Sequence, residues 1–249
     1  MSKYRNRVAK LSGLAALVLF AFGTPEAGAV TIWNGITPPP NDLTSWSGLG
    51  ADGTALTTFS ATSTGGNVVS GSFAGGSGLV AVECPAAPSC SWNGSAPFTA
   101  GEHLVWAFNP TANSGTGPLT LGLSKAVLAG GLDIQADALG MFTAQVQAFN
   151  GGTLLGTETL TSDVAGDPIF IGAQDTTADI TSLKFDLTAC TGTCDVHDFA
   201  VGTLATVNPV VPAPLIGFGL PVFLAIGGLF FGAKLLERGR RGAGLFGAL

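Results

Sequence analysis

The chain has 249 residues, room for one good-sized domain once targeting segments are set aside, with 10 Lys and Arg against 16 Asp and Glu and a formal net charge of −6. The basic residues crowd the two ends: between Val30 and Pro209 only Lys125 and Lys184 face 14 acidic residues, with no arginine, so this stretch carries about −12. A surface of that sign repels phosphate backbones and argues against nucleic acid as a partner.

The first element is a targeting segment. Lys3, Arg5, Arg7 and Lys10 precede an uncharged apolar stretch from Leu11 to Gly23, and "TPEAGA" follows with the small residues Ala27 and Ala29. This is the layout of a secretory signal peptide over residues 1–29, cleaved after Ala29. As a helix the apolar stretch rises only about 20 Å, too short for a hydrocarbon core of about 30 Å.

From residue 30 to residue 204 the sequence reads as all-β. Short runs rich in Val, Ile, Leu, Phe and Thr recur between glycine-containing turns, without sustained helical periodicity. Two stretches are looser, "TPPPNDLTSWSGLGADG" and "CPAAPSCSWNGSAP". In "HLVWAFN" alternation puts Leu104, Trp106 and Phe108 on one face, with Trp106 expected in the core. In "GLDIQAD" Leu132, Ile134 and Ala136 oppose Asp133, Gln135 and Asp137; in "FTAQVQAFN" Phe142, Ala144, Val146 and Ala148 face inward; in "LKFDL" Leu183, Phe185 and Leu187 do. "NGG" at Asn150 to Gly152 predicts a hairpin into "TLLGTETLT". About ten strands with one polar face each fit an antiparallel two-sheet sandwich of jelly-roll type. The segment 205–214, with Pro209, Pro212 and Pro214, reads as an extended linker.

Four cysteines fall in two close pairs within an exported region. The simplest reading is two local disulfides, Cys84 with Cys90 and Cys190 with Cys194, each clamping a turn. The alternative is a metal site formed by Cys190, Cys194, His197 and Asp198, although Cys-x3-Cys-x2-His is a poor zinc spacing.

Chemistry is sparsely written. The nucleophile elbow pattern is absent, and the two histidines, His103 and His197, read as surface and structural residues. Glu83, Glu102, Asp133, Asp137, Glu158 and Asp186 could supply a glycosidase pair, but strand spacing carries no information on carboxylate separation. Calcium is a candidate cofactor, because a hard cation takes oxygen ligands; the loops holding Asp163 and Asp167, and Asp175 and Asp179, are the candidate sites. Trp33, Trp46 and Trp92 lie in polar, loop-like contexts and are the candidate sugar-stacking residues.

The C-terminus ends in "VPAPLIGFGLPVFLAIGGLFFGAKLLERGRR", Val211 to Arg241. From Leu215 to Ala233 no residue is charged, which at about 1.5 Å per residue nearly crosses a bilayer. A transmembrane helix is expected over 215–236, with Lys234, Arg238, Arg240 and Arg241 holding a basic tail, 237–249, in the cytoplasm. This segment resembles the PEP-CTERM sorting signal of Gram-negative bacteria: a short proline motif, here Val211, Pro212, Ala213 and Pro214, then one glycine-rich helix and an arginine cluster. The Val-Pro-Ala-Pro form looks like a variant class of that signal, since Pro-Glu-Pro is usual, and "GAGLFGAL" trails the arginines.

The resemblance implies transient or permanent anchoring in the inner membrane with the domain in the periplasm. It further implies processing by an exosortase-type transpeptidase and a final place at the cell surface or in the extracellular matrix. More weakly, "GLDIQADALGMFTAQVQAFNGGTLLGTETL", "PIFIGAQDTTADITSLKFDLTA" and "HDFAVGTL" are similar to galactose-binding-like jelly rolls found ahead of such signals. The function implied is a non-enzymatic surface or matrix protein that binds or organises extracellular polysaccharide. The alternatives are a self-assembling adhesive protein and a polysaccharide-acting hydrolase.

Overall fold

The computed structural model describes residues 30–83, 98–192 and 194–209. The strands begin short, β1 (Thr31–Trp33), β2 (Asp42–Thr44), β3 (Ala55–Leu56), β4 (Thr58–Thr62), β5 (Val68–Phe73), β6 (Gly78–Val82), β7 (His103–Trp106), β8 (Phe108–Asn109) and β9 (Ser114–Gly115). Where period-two alternation strengthens they lengthen: β10 (Leu119–Val127), β11 (Ala129–Ala136), β12 (Phe142–Asn150), β13 (Thr153–Thr161), β14 (Ile169–Gln174) and β15 (Ile180–Cys190). Two short strands close the series, β16 (Phe199–Val201) and β17 (Leu204–Val207). A single 3-10 turn, Ser47–Leu49, is the one helical element among the described residues. None of the described residues forms a helix long and apolar enough to cross a membrane.

The strands build an antiparallel, sandwich-like pair of sheets. The larger runs β1, β14, β11, β16, β7, β6, β3, with β17 added between β11 and β2; the smaller runs β13, β12, β15, β10, β5, β4. β11 is long enough to take two partners in succession, β17 along Ala129–Gly131 and β16 along Ile134–Ala136. Between the sheets lies one apolar core. Leu119 and Leu121 of β10, Phe142 and Val146 of β12, and Leu183, Phe185 and Leu187 of β15 meet Leu132 and Ile134 of β11, Ile171 of β14 and Val201 of β16. The hairpin from "NGG" forms as expected, Asn150 pairing Thr153 across Gly151, whose φ of 56° suits glycine better than any side chain.

Three sequence expectations need correction or placement. In "HLVWAFN" the inward residues are Val105 and Ala107, both fully buried in the inter-sheet core. Leu104 and Trp106 lie on the opposite, outer face of the larger sheet, where Leu104 packs with Ala81, Phe98 and Ala200 and Trp106 is half-buried against them. Both faces of this strand are covered, so hydrophobicity alone does not reveal which one meets the core. Ala205–Val207, expected to open an extended linker, belong instead to β17, a buried strand, and the Val207 carbonyl accepts the Leu128 N–H at 2.8 Å. The signal peptide, the Cys84–Cys90 pair, Trp92, the proline motif, the membrane helix and the basic tail lie outside the described residues.

Candidate functional site

Neither described tryptophan of the predicted stacking set offers a face to a ligand. Trp33 is 1 % exposed, edge-on to Phe170 at 5.4 Å, and its indole N–H donates to the Pro38 carbonyl at 3.1 Å. Trp46 is fully buried, edge-on to Phe59 at 5.7 Å, with its N–H donating to the Gly202 carbonyl at 2.6 Å. Trp33 ends β1 and packs with Ala129, Ala205 and Val207 in a separate cluster, while Trp46, in the connection after β2, joins the inter-sheet core; each indole N–H is satisfied by a carbonyl.

The predicted calcium loops differ from one another. Asp163 is spent on its own loop: its Oδ1 accepts the N–H groups of Ala165, Gly166 and Asp167 at 2.9 to 3.1 Å. The Asp167 N–H and its neighbours thereby hold the Asp163 carboxyl below the ordinary range. Asp175 is nearly fully buried while Asp179 is half-buried. Among the described residues no group of three or more His, Cys, Asp or Glu is gathered as a metal site. Cys190 and Cys194 are joined in a disulfide with Cα atoms 6.0 Å apart, which takes both thiols out of any zinc site.

A concave surface arises from alternation in the smaller sheet. Residues that point away from the core in β4, β5 and β10 are Thr58, Ser60, Ser70, Ser72 and Thr120, set in register as Thr58 opposite Ser72 and Ser72 opposite Thr120. With Gly122 they line a shallow cleft of about 580 Å³. Ser60 also lines a neighbouring cleft of about 620 Å³, with Leu43, Ser45, Ser47, Thr62, Thr64 and Thr203. The register continues across the sheet through Lys184 and Gln147 to Thr157, one row spanning all six strands. Hydroxyl side chains recur in both linings beside apolar surface from Phe59, Leu43 and Ala61, and no charged side chain lines either. The sequence signal for these residues is the alternation of Thr and Ser in "TFSAT" and "VVSGSF", which sequence reasoning passed over in favour of tryptophan.

A second cluster gathers acids and aromatics where β16 begins. Asp198, 7 % exposed, accepts the Trp106 indole N–H at 2.6 Å, and Trp106 stacks on Phe108 at 4.5 Å. Burial holds the Asp198 carboxyl up, at about 7, the Trp106 hydrogen bond opposing and the charges of Asp137 and Asp195 adding to the rise. Asp195 stays low because the backbone N–H groups of His197 and Gly115 donate to it. His197 Nδ1 lies 3.2 Å from Asp186 Oδ1. Gly115 passes so close to the His197 and Asp198 backbone that a Cβ there would sit 2.2 Å from the His197 carbonyl carbon, so only glycine fits. These bonds tie β9, β7 and the approach to β16 together. No family model, no curated protein and no solved structure matches the chain.

Proposed function

We propose that the protein is a non-enzymatic, exported surface or matrix protein that binds extracellular polysaccharide along the two hydroxyl-lined clefts of its smaller sheet. One observation carries the reading: two clefts that share Ser60 carry hydroxyls beside apolar surface and no charged side chain, on a domain that is otherwise strongly acidic. Adjoining clefts suit a polymer, and hydroxyls beside apolar patches without charge suit a neutral sugar, which presents both hydroxyls and C–H faces. We read the sandwich as a jelly roll, because the chain alternates between sheets from β10 to β11 and from β14 through β15 to β16.

The test is retention of the full chain, in mild detergent, on the producing cell's neutral exopolysaccharide. Replacing Thr58, Ser60 and Ser72 together by Ala should weaken retention by at least about tenfold, at roughly 0.5–1.5 kcal/mol per lost hydrogen bond, and leave the urea midpoint unchanged. Undiminished retention removes the reading. Concentration-dependent oligomers without sugar would favour self-assembly instead, for which β13 is the candidate edge: nine residues long, free of proline and paired on one side only among the described residues. Release of reducing ends would favour a hydrolase.

We further propose that the tail is a sorting signal of PEP-CTERM type, supported by the proline motif, the uncharged run from Leu215 to Ala233 and the basic residues after it. Deleting 215–249 should send the protein to a different compartment and abolish its size change on maturation. A truncated protein found at the same place with the same mature size would remove the proposal.

A further inference from the structure

The turn between β14 and β15, Asp175–Asp179, holds two carboxylates whose hydrogen bonding is incomplete in a way that no other acid pair in the described residues matches. Asp175 is 3 % exposed; its N–H donates to the Leu128 carbonyl at 2.8 Å, and its Oδ1 accepts the Thr177 N–H at 3.2 Å and the Thr176 hydroxyl at 3.3 Å. Its other oxygen, Oδ2, is buried with no hydrogen-bond partner. Four residues on, Asp179 donates its N–H to the Thr177 carbonyl at 3.0 Å, and its Oδ1 is likewise buried with no partner. The Thr177 peptide thus bonds to both acids and keeps the turn compact.

A buried carboxylate oxygen facing no donor is costly, and this five-residue turn holds two. Among the described residues no cationic group relieves it: the one ion pair is His197 with Asp186, and neither lysine, Lys125 nor Lys184, is paired with this turn. Oxygen-only ligands from a turn, with waters and carbonyls to complete the shell, are what a hard divalent cation takes, and calcium tolerates the irregular geometry that magnesium does not. We propose that the Asp175–Asp179 turn binds one Ca²⁺, with Asp175 Oδ2 and Asp179 Oδ1 as its carboxylate ligands. Two carboxylates place the affinity at the weak, extracellular end of the calcium range, a Kd of about 10⁻⁴–10⁻³ M. The site shares no residue with the hydroxyl-lined clefts, so it stands or falls independently of the polysaccharide reading.

The experiment is thermal unfolding of the full chain in chelator, in about 10 mM Ca²⁺ and in equal Mg²⁺, roughly ten times the weak end of that affinity range, together with calorimetric titration of Ca²⁺. Calcium should raise the midpoint by about 3–11 °C across that affinity range and magnesium by much less. Asp175→Asn and Asp179→Asn should each abolish the calcium shift while matching or exceeding the parent midpoint in chelator, because the uncompensated charge is gone. The titration should give one site per chain in the stated range. No calcium shift in the parent, a shift that survives both substitutions, or the absence of a titratable site would each overturn the proposal.

Discussion

The outer faces of the two sheets have the same backbone and opposite chemistry. On the larger sheet the outer face of β6, β7 and β16 carries a second apolar layer, Ala81, Leu104 and Ala200 under Phe98, with half-buried Trp106 beside the buried carboxylate of Asp198. On the smaller sheet the outer face presents Thr157, Gln147, Lys184, Thr120, Ser72 and Thr58 in one open row. A strand covered on both sides has no reason to alternate, so β6, β16 and β17 are buried almost without interruption. A strand wet on one side must alternate, as β5 and β12 do throughout. The difference teaches that one face of this sandwich is finished by its own chain while the other is left for water or for a ligand.

The sharpest way to break that contrast is by truncation on each face. Leu104→Ala, within the second apolar layer, should cost about 2–5 kcal/mol in urea unfolding, the usual loss for emptying a packed site. Thr120→Ala on the open face should change stability by no more than about 0.5 kcal/mol. Equal losses would mean that the polar face is covered after all.

A smaller effect should come from the buried acid on the covered face. Asp198 keeps its proton up to about pH 7 in the folded chain, against an ordinary value of 3.8, so between those values the folded protein holds a proton that the unfolded one has released. Stability therefore falls as pH rises through this window. The loss from pH 5 to pH 8 should be on the order of 1–2 kcal/mol, less than the full shift implies because water screens part of the group. Burial also raises Asp133, Asp137 and Asp186, which slope the same way, whereas the lowered Asp163 and Asp195 lose their contribution only below the ordinary carboxylate range. Asp198→Asn should flatten the slope and raise the urea midpoint at pH 8; an unchanged slope would show that the carboxylate is solvated.

The same contrast accounts for what could be read beforehand. Strands with one wet face declared themselves: Phe142, Ala144, Val146 and Ala148, and likewise Leu183, Phe185 and Leu187, face the core as their alternation requires. The Cys190–Cys194 link was legible because four residues of separation leave the two cysteines within reach of each other. The covered face misled. Alternation in "HLVWAFN" is real, yet it assigned Leu104 and Trp106 to the wrong side, because each face of β7 meets apolar neighbours and only the pairing of β7 with β6 and β16 decides which is which. Trp33 and Trp46 misled for a related reason: local polarity reports the backbone's surroundings, while a ring of that size reaches past them into the core.

The sequence by itself determined the all-β class, the antiparallel alternation, one hairpin and one disulfide, all of which depend on residues within a few positions of each other. Only the tertiary structure decided which outer face is covered, where the domain's last strand ends, that the hydroxyls of β4, β5 and β10 line one cleft, and that one oxygen each of Asp175 and Asp179 is buried without a donor. These depend on contacts between strands distant in the chain, and a side chain's burial is set by whatever packs against it.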